Sequence, residues 1–299
     1  MNHPCIPSIR KPQSRSNRPT LGEKMAFVDD EDDGSLRTGF SGKIVGVLVL
    51  AAAIVAGRFL LPHILRSPSE ATPERVLEEI ERQPGNRELF EAIRSNYPAE
   101  FETFLQRFAD TANATKDDWP LREMGFNFTR GLARIHFEGL AHAPSDALRE
   151  IARQYAVLYR TLGQTNVSLC ARLATGGASS ATDPIGSESV VGHIGALQIS
   201  AARQGEIRPS PTRSNLNDRE AESFMRALRA RSDMAARLLL DERAMANATP
   251  TQQCQSTIAL YETMGELPPD QAAKALVYVL REGLQTTSPG GQAPTPSAQ

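Results

Sequence analysis

The chain has one tryptophan, three cysteines and only five lysines beside 28 arginines, and aromatic residues make up 6% of it. No segment alternates apolar and polar residues convincingly at period two, so the sequence carries no strand signal. It has no excess of basic charge. Residues 1–66 carry nine Arg/Lys against six Asp/Glu, whereas residues 67–299 carry 24 against 29. A mildly acidic main body argues against nucleic acid, which selects clustered basic surfaces. Phosphate-cradling glycine motifs are missing too. Gly176-Gly177 and Gly192-His193-Ile194-Gly195 follow no strand, and a mobile loop and close helix packing account for them.

The chain does have one long apolar run. Between Lys43 and Arg66 lie the 22 residues IVGVLVLAAAIVAGRFLLPHIL. The uncharged part, Ile44–Gly57, rises about 21 Å as a helix, short of the roughly 30 Å hydrocarbon layer. Phe59, Leu60, Leu61, Ile64 and Leu65 extend it, and Arg58 can snorkel to the nearer interface. The expectation is a single transmembrane helix at 43–66, in contact with membrane lipid. The competing readings are a cleaved leader, favoured if translation starts at Met25, and a buried helix of a soluble core. Gly46, Ala53 and Gly57 fall close to one stripe of the span, together with Gly42. Small residues let membrane helices approach closely, so this stripe is the expected contact of a homodimer.

Flanking Arg and Lys hardly decide the orientation, since Arg37 and Lys43 precede the span and Arg66, Arg75 and Arg82 follow it. Cysteine usage decides it. Cys170 and Cys254 both fall in the large C-terminal part, and pairing them as a disulfide requires an oxidising compartment. The short N-terminus is therefore expected in the cytoplasm and the large domain outside it, in the periplasm of a cell envelope.

Four regions result: a disordered segment 1–42 rich in Pro, Ser and Arg, the span 43–66, an α-helical domain 67–284, and a disordered tail 285–299. Apolar periodicity predicts helices from Thr72-Pro73, over 87–96, through Phe101, Phe104, Leu105 and Phe108, and over 120–141 with Leu121, Met124, Phe128, Leu132 and Ile135 inward. Further helices are expected from Ser145 as a cap to Gly163, at 166–174, at 190–203, as one long helix over 218–247, from Thr249-Pro250 to Gly265, and over 268–282. No repeat of fixed period is present, so the fold class expected is all-α, an irregular helical bundle.

No catalytic, cofactor or metal residue stands out. Cys170 beside a histidine is a nucleophile–base pair in principle, yet nothing in the sequence places His136, His142 or His193 near it. His136 and His142 are six residues apart, about 120° around a helix, whereas helical zinc pairs sit four apart. Glu78–Glu81 reads as a solvated helix face. Arg219, Arg226, Arg229, Arg231, Arg237 and Arg243 read the same way, with acid-first pairs at Glu222→Arg226 and Asp233→Arg237. The expected role is a membrane-anchored module that binds, scaffolds or positions a protein partner. The alternative is an envelope enzyme whose catalytic residues are scattered.

Overall fold

Prolines and short polar side chains punctuate the chain into helices, and these packed helices form the domain. The structure, a computed structural model, describes residues 70–82, 84–115, 117, 119–175, 188–211 and 213–286. Among them are thirteen helices and no strand. The first five are α1 (Pro73–Arg82), α2 (Pro84–Asn96), α3 (Pro98–Ala114), α4 (Trp119–Ile135) and α5 (Phe137–Ala141). Then come α6 (Ser145–Thr165), α7 (Val167–Ala174), α8 (Glu188–Ile207) and α9 (Asp218–Arg231). The last four are α10 (Asp233–Leu240), α11 (Glu242–Asn247), α12 (Pro250–Glu266) and α13 (Pro269–Thr286). Five of these helices open with proline, whose fixed φ suits the first turn and whose missing N–H is no loss there.

The all-α expectation holds for this part of the chain. The segments expected at 1–42 and 43–66, with Gly46, Ala53 and Gly57, lie outside the described residues, as does the glycine-rich stretch 176–187. Among the described residues no helix is long and apolar enough to cross a membrane. Gln285 and Thr286, placed in the tail expected from 285, belong to α13, and the rest of that tail lies outside the described residues.

Several local expectations are corrected. The helix expected at 120–141 is two helices, broken at His136. Ile135 points outward, 72% exposed, instead of into the core. The long helix expected over 218–247 is three, because Ser232 and Asp241 turn their side chains back on the chain. Ser232 accepts from the Ala235 N–H, and Asp241 from those of Arg243 and Ala244. Such residues compete with the helical ladder, and each starts a new helix instead. Ser145 does not cap α6; its hydroxyl donates to Asp270 at 2.6 Å. Glu79, expected on a solvated face, is buried at 3% exposure and meets Arg82 at 3.0 Å.

Two apolar clusters form. The first joins α1–α4 around Val76, Ile80, Phe90, Phe101, Phe104 and Phe108. The second spans α5–α13 around Tyr155, Tyr159, Leu228, Tyr261 and Leu276. Each fully buried large apolar side chain contributes about 1.5–3 kcal/mol. Tyr261 stacks on Tyr159 with centroids 5.4 Å apart and lies 5.2 Å from Tyr155. The Tyr155 hydroxyl accepts from Gln198 at 3.0 Å. Burial pushes all three phenols above their ordinary range.

Helix α8 ties the clusters together: Ile199 belongs to the first, Val191 and Ile194 to the second. It packs against α2, α5 and α6. Glycine makes two of these crossings possible. A Cβ at Gly192 would lie 1.8 Å from the carbonyl oxygen of Gly85, and one at Gly205 would lie 1.9 Å from that of Gly139. The cluster Gly192-His193-Ile194-Gly195 is thus a helix-crossing surface.

Cys170 on α7 and Cys254 on α12 are joined by a disulfide, with Cα atoms 5.3 Å apart. Both are buried. The bond closes a loop of 84 residues in sequence separation and fastens the middle of the domain to its C-terminal helices.

Candidate functional site

The histidines that the sequence left unplaced go to separate positions. His193 contacts Glu88 across the α2–α8 crossing at 2.5 Å. His142 follows α5, where its Nδ1 meets the Ser210 carbonyl at 2.9 Å. Beside it, Arg213 donates to the carbonyls of Ala141 and Ala143 at 2.6 and 2.5 Å, capping α5 and pinning the stretch before α9. Burial lowers the pKa of Arg213 from its ordinary value. Among the described residues no three His, Cys, Asp or Glu side chains gather as metal ligands would. Neither His136 nor His142 pairs with Cys170, whose sulfur is bound to Cys254.

His136 has the most elaborate polar surroundings. It sits in the turn between α4 and α5, and its Nδ1 lies 2.6 Å from Oε1 of Glu206 on α8. The hydroxyl of Tyr97 donates to the same oxygen at 3.3 Å, and Arg203 donates to the other at 3.2 Å. The His136 ring stacks on Tyr97 with centroids 3.8 Å apart. Burial works to raise the Glu206 pKa, but the hydrogen bonds from His136, Arg203 and Tyr97 outweigh it and hold the carboxyl below its ordinary value. An ionised carboxylate only accepts, so Nδ1 of His136 carries the shared proton. Burial, then the Glu206 charge, push the Tyr97 phenol upward.

A carboxylate holding an imidazole in this way is also how a catalytic base is oriented. The far side of the ring decides what it can do. Nε2 of His136 is buried and has no hydrogen-bond partner. His136 lines a cavity of about 30 Å³ whose other walls include Leu89, Ile93, Leu140, Ile199 and Leu280. That volume admits a water molecule or two and no substrate. The cluster is therefore a latch that joins the α2–α3 junction, the α4–α5 turn and the end of α8.

A wider opening lies between α3 and α4. This groove, of about 520 Å³, is lined by Phe104, Met124, Phe128, Leu132 and Ile135, with Glu100 and Arg107 along the α3 side. Its floor is the Phe104–Phe128 stack, with centroids 4.2 Å apart. Helix α4 buries Leu121, Gly125, Thr129 and Leu132. Its next stripe, Met124, Phe128, Gly131 and Ile135, follows i, i+4, i+7, i+11 and stays half-open to solvent. A Cβ added at Gly131 would meet nothing within 4 Å. The apolar pattern of this stripe was legible in the sequence; its exposure was not, because periodicity reports a face and not what covers it.

In the second cluster, Arg231 of α9 bonds Glu262 of α12 at 2.8 Å and also reaches Glu266, while Arg160 of α6 bonds Glu262. Arg237 pairs with Asp233 at 3.2 Å. Arg231 and Arg237 of the arginine stripe thus serve ion pairs. No protein-family model matches the chain, and no curated protein or solved structure is similar to it.

Proposed function

We propose that this protein is a membrane-tethered helical binding module of the cell envelope, not an enzyme, and that its α3–α4 groove receives an amphipathic helix of a partner protein. The observation that carries this reading is the half-open stripe Met124–Phe128–Gly131–Ile135 beside Phe104. Helix α4 packs on α3 and, through its C-terminal end, on α5, so a third helix lying along the groove would complete a layer. Gly131 leaves room for that helix to come close. Glu100 and Arg107 on the rim suit a partner with mixed charge on its flanks. The buried Cys170–Cys254 bond supports a domain outside the cytoplasm, with segment 43–66 as its anchor in lipid. A homodimer through Gly46, Ala53 and Gly57 is compatible with the same arrangement.

The enzyme reading has one observation in its favour, the Glu206-held His136, and the water-sized cavity beside that ring weighs against it.

Gly131→Trp separates partner binding from folding, because the added indole enters open groove rather than the core. A photo-reactive residue at Ile135 of the full chain should cross-link in cells to a helical peptide of one other protein. The same probe at Arg237, on distant α10, should not. Introducing Gly131→Trp should remove the Ile135 cross-link at least tenfold and leave the melting temperature unchanged or higher. Cross-links only to another copy of this chain, or a yield indifferent to Gly131→Trp, would contradict the proposed occupant.

A further inference from the structure

We infer that the start of α4 is a second point of membrane contact, with Trp119 seated in the interfacial layer of the leaflet beside the tether. This rests on the tethered reading above and adds to it which face of the domain meets lipid.

The apolar run ends at Leu65, and the first described residue is Glu70. The five residues from Arg66 to Glu70 reach at most about 17 Å even when fully extended. Ala71 is then clamped in place. Its N–H donates to Oδ1 of Asn113 at 2.8 Å, and its carbonyl accepts from Nδ2 of the same side chain at 2.8 Å. Ala71 is buried, so this reciprocal pair fixes the start of the domain on the last turn of α3.

Trp119 lies six residues beyond Asn113, within about 20 Å by chain length. The connection is drawn in further, because the Asp117 N–H donates to the Thr115 hydroxyl and the Trp119 N–H donates to the Asp117 carboxylate, both at 3.0 Å. Ala71, where the link from the proposed tether enters the domain, the end of α3 and the start of α4 therefore share one end of the first helix cluster. At that end the chain's sole tryptophan is 57% exposed.

A large apolar ring with one N–H is costly in bulk water and suits the headgroup layer, where its body is covered and its N–H stays hydrogen-bonded. The charges of the described residues near this end are mostly acidic, Glu70, Glu74, Asp110 and Asp117 against Arg75. Burial of the indole, not attraction to anionic lipid, is thus the driving term, and a zwitterionic bilayer suffices. With two points of contact the domain no longer swivels on its tether, and the direction in which the α3–α4 groove faces is set.

Because Trp119 is the only tryptophan, its emission reports this site alone. The full chain is reconstituted into phosphatidylcholine vesicles that carry lipid brominated near the headgroup, and flotation and fluorescence are read on the same sample. The expected result is co-flotation, with most of the emission lost to the brominated lipid and little to aqueous iodide. In the variant Trp119→Phe/Val157→Trp, which moves the probe to exposed Val157 on α6, emission should be lost to iodide and not to lipid. Flotation with Trp119 quenched only by iodide overturns the inference and leaves the tether standing. Equal lipid quenching at both positions also overturns it, since the domain would then lie on lipid without a preferred face. Failure to float removes the tether and this contact with it.

Discussion

Replacing Cys170 and Cys254 together by alanine should lower the unfolding free energy by roughly 4 kcal/mol, the chain-entropy value for a closed loop of this length. Beside a typical total of about 5–15 kcal/mol this is a large share. For a domain of this size it corresponds to a fall of about 8–16 °C in Tm. The effect acts mainly on the unfolded chain, which becomes free to expand, so the urea m-value should rise while the midpoint falls. Some loss also arises in the folded state, because both sulfurs are buried and alanine leaves part of their space empty. Burial has a kinetic consequence as well. Reductant alone should act slowly on the folded protein and quickly in mild denaturant, where the bond is reached by opening. Equilibrium urea unfolding of the wild-type chain and the double variant checks the first effect. An unchanged midpoint, or two thiols that label in the oxidised folded protein, would contradict the cross-link.

Gly192→Ala should destabilise the domain by about 1–3 kcal/mol, the usual range for forced overpacking, and Gly192→Val by more. The added Cβ would sit 1.8 Å from a backbone oxygen, that of Gly85 in the first turn of α2. No rotamer change relieves such a contact; α8 has to move away from α2, and the His193–Glu88 pair on the same crossing is disturbed with it. Against this, alanine improves helix propensity over glycine by roughly 1 kcal/mol, which partly offsets the clash. Gly131→Ala receives the propensity gain with no clash, because nothing lies within 4 Å of its Cβ. The two glycine-to-alanine changes should therefore have opposite signs in thermal melts. Equal signs would mean that the α2–α8 crossing is looser than described.

These two expectations differ in how much of them the sequence carried. The pairing of Cys170 with Cys254 was legible because both fall in the same region and a disulfide accounts for both. The crossing at Gly192 was legible only as close packing of some kind; that its partner is Gly85 depends on a fold that brings residues about a hundred positions apart together. Helices α7 and α12 appeared in the sequence close to their true limits, α1 by its start at Thr72-Pro73, and α3 by its regular apolar face. Ser232 and Asp241, where a polar side chain starts a new helix, were not legible, since the apolar residues on either side (Leu228 and Ala235, Leu239 and Met245) stay within one broad helical face. Nor was the burial of Glu79 or the exposure of Ile135, because the neighbouring elements, and not the residue's own helix, determine exposure. The His136–Glu206–Tyr97 latch had no local signal at all. Its members come from three places in the chain, and only packing of α8 against α2 and α5 brings them together.

The proposed tether with its exported domain is the claim on which the setting of the groove and the Trp119 contact depend, and one measurement addresses it directly. A reporter that is active only outside the cytoplasm is fused after Gln299 of the full chain, and its activity is followed through alkaline carbonate extraction of the membranes. The expected result is an active reporter that stays with the membrane pellet, because an apolar span inserts in the bilayer rather than adsorbing to it. Activity released to the supernatant, or an inactive reporter on protein retained in the pellet, would contradict that claim.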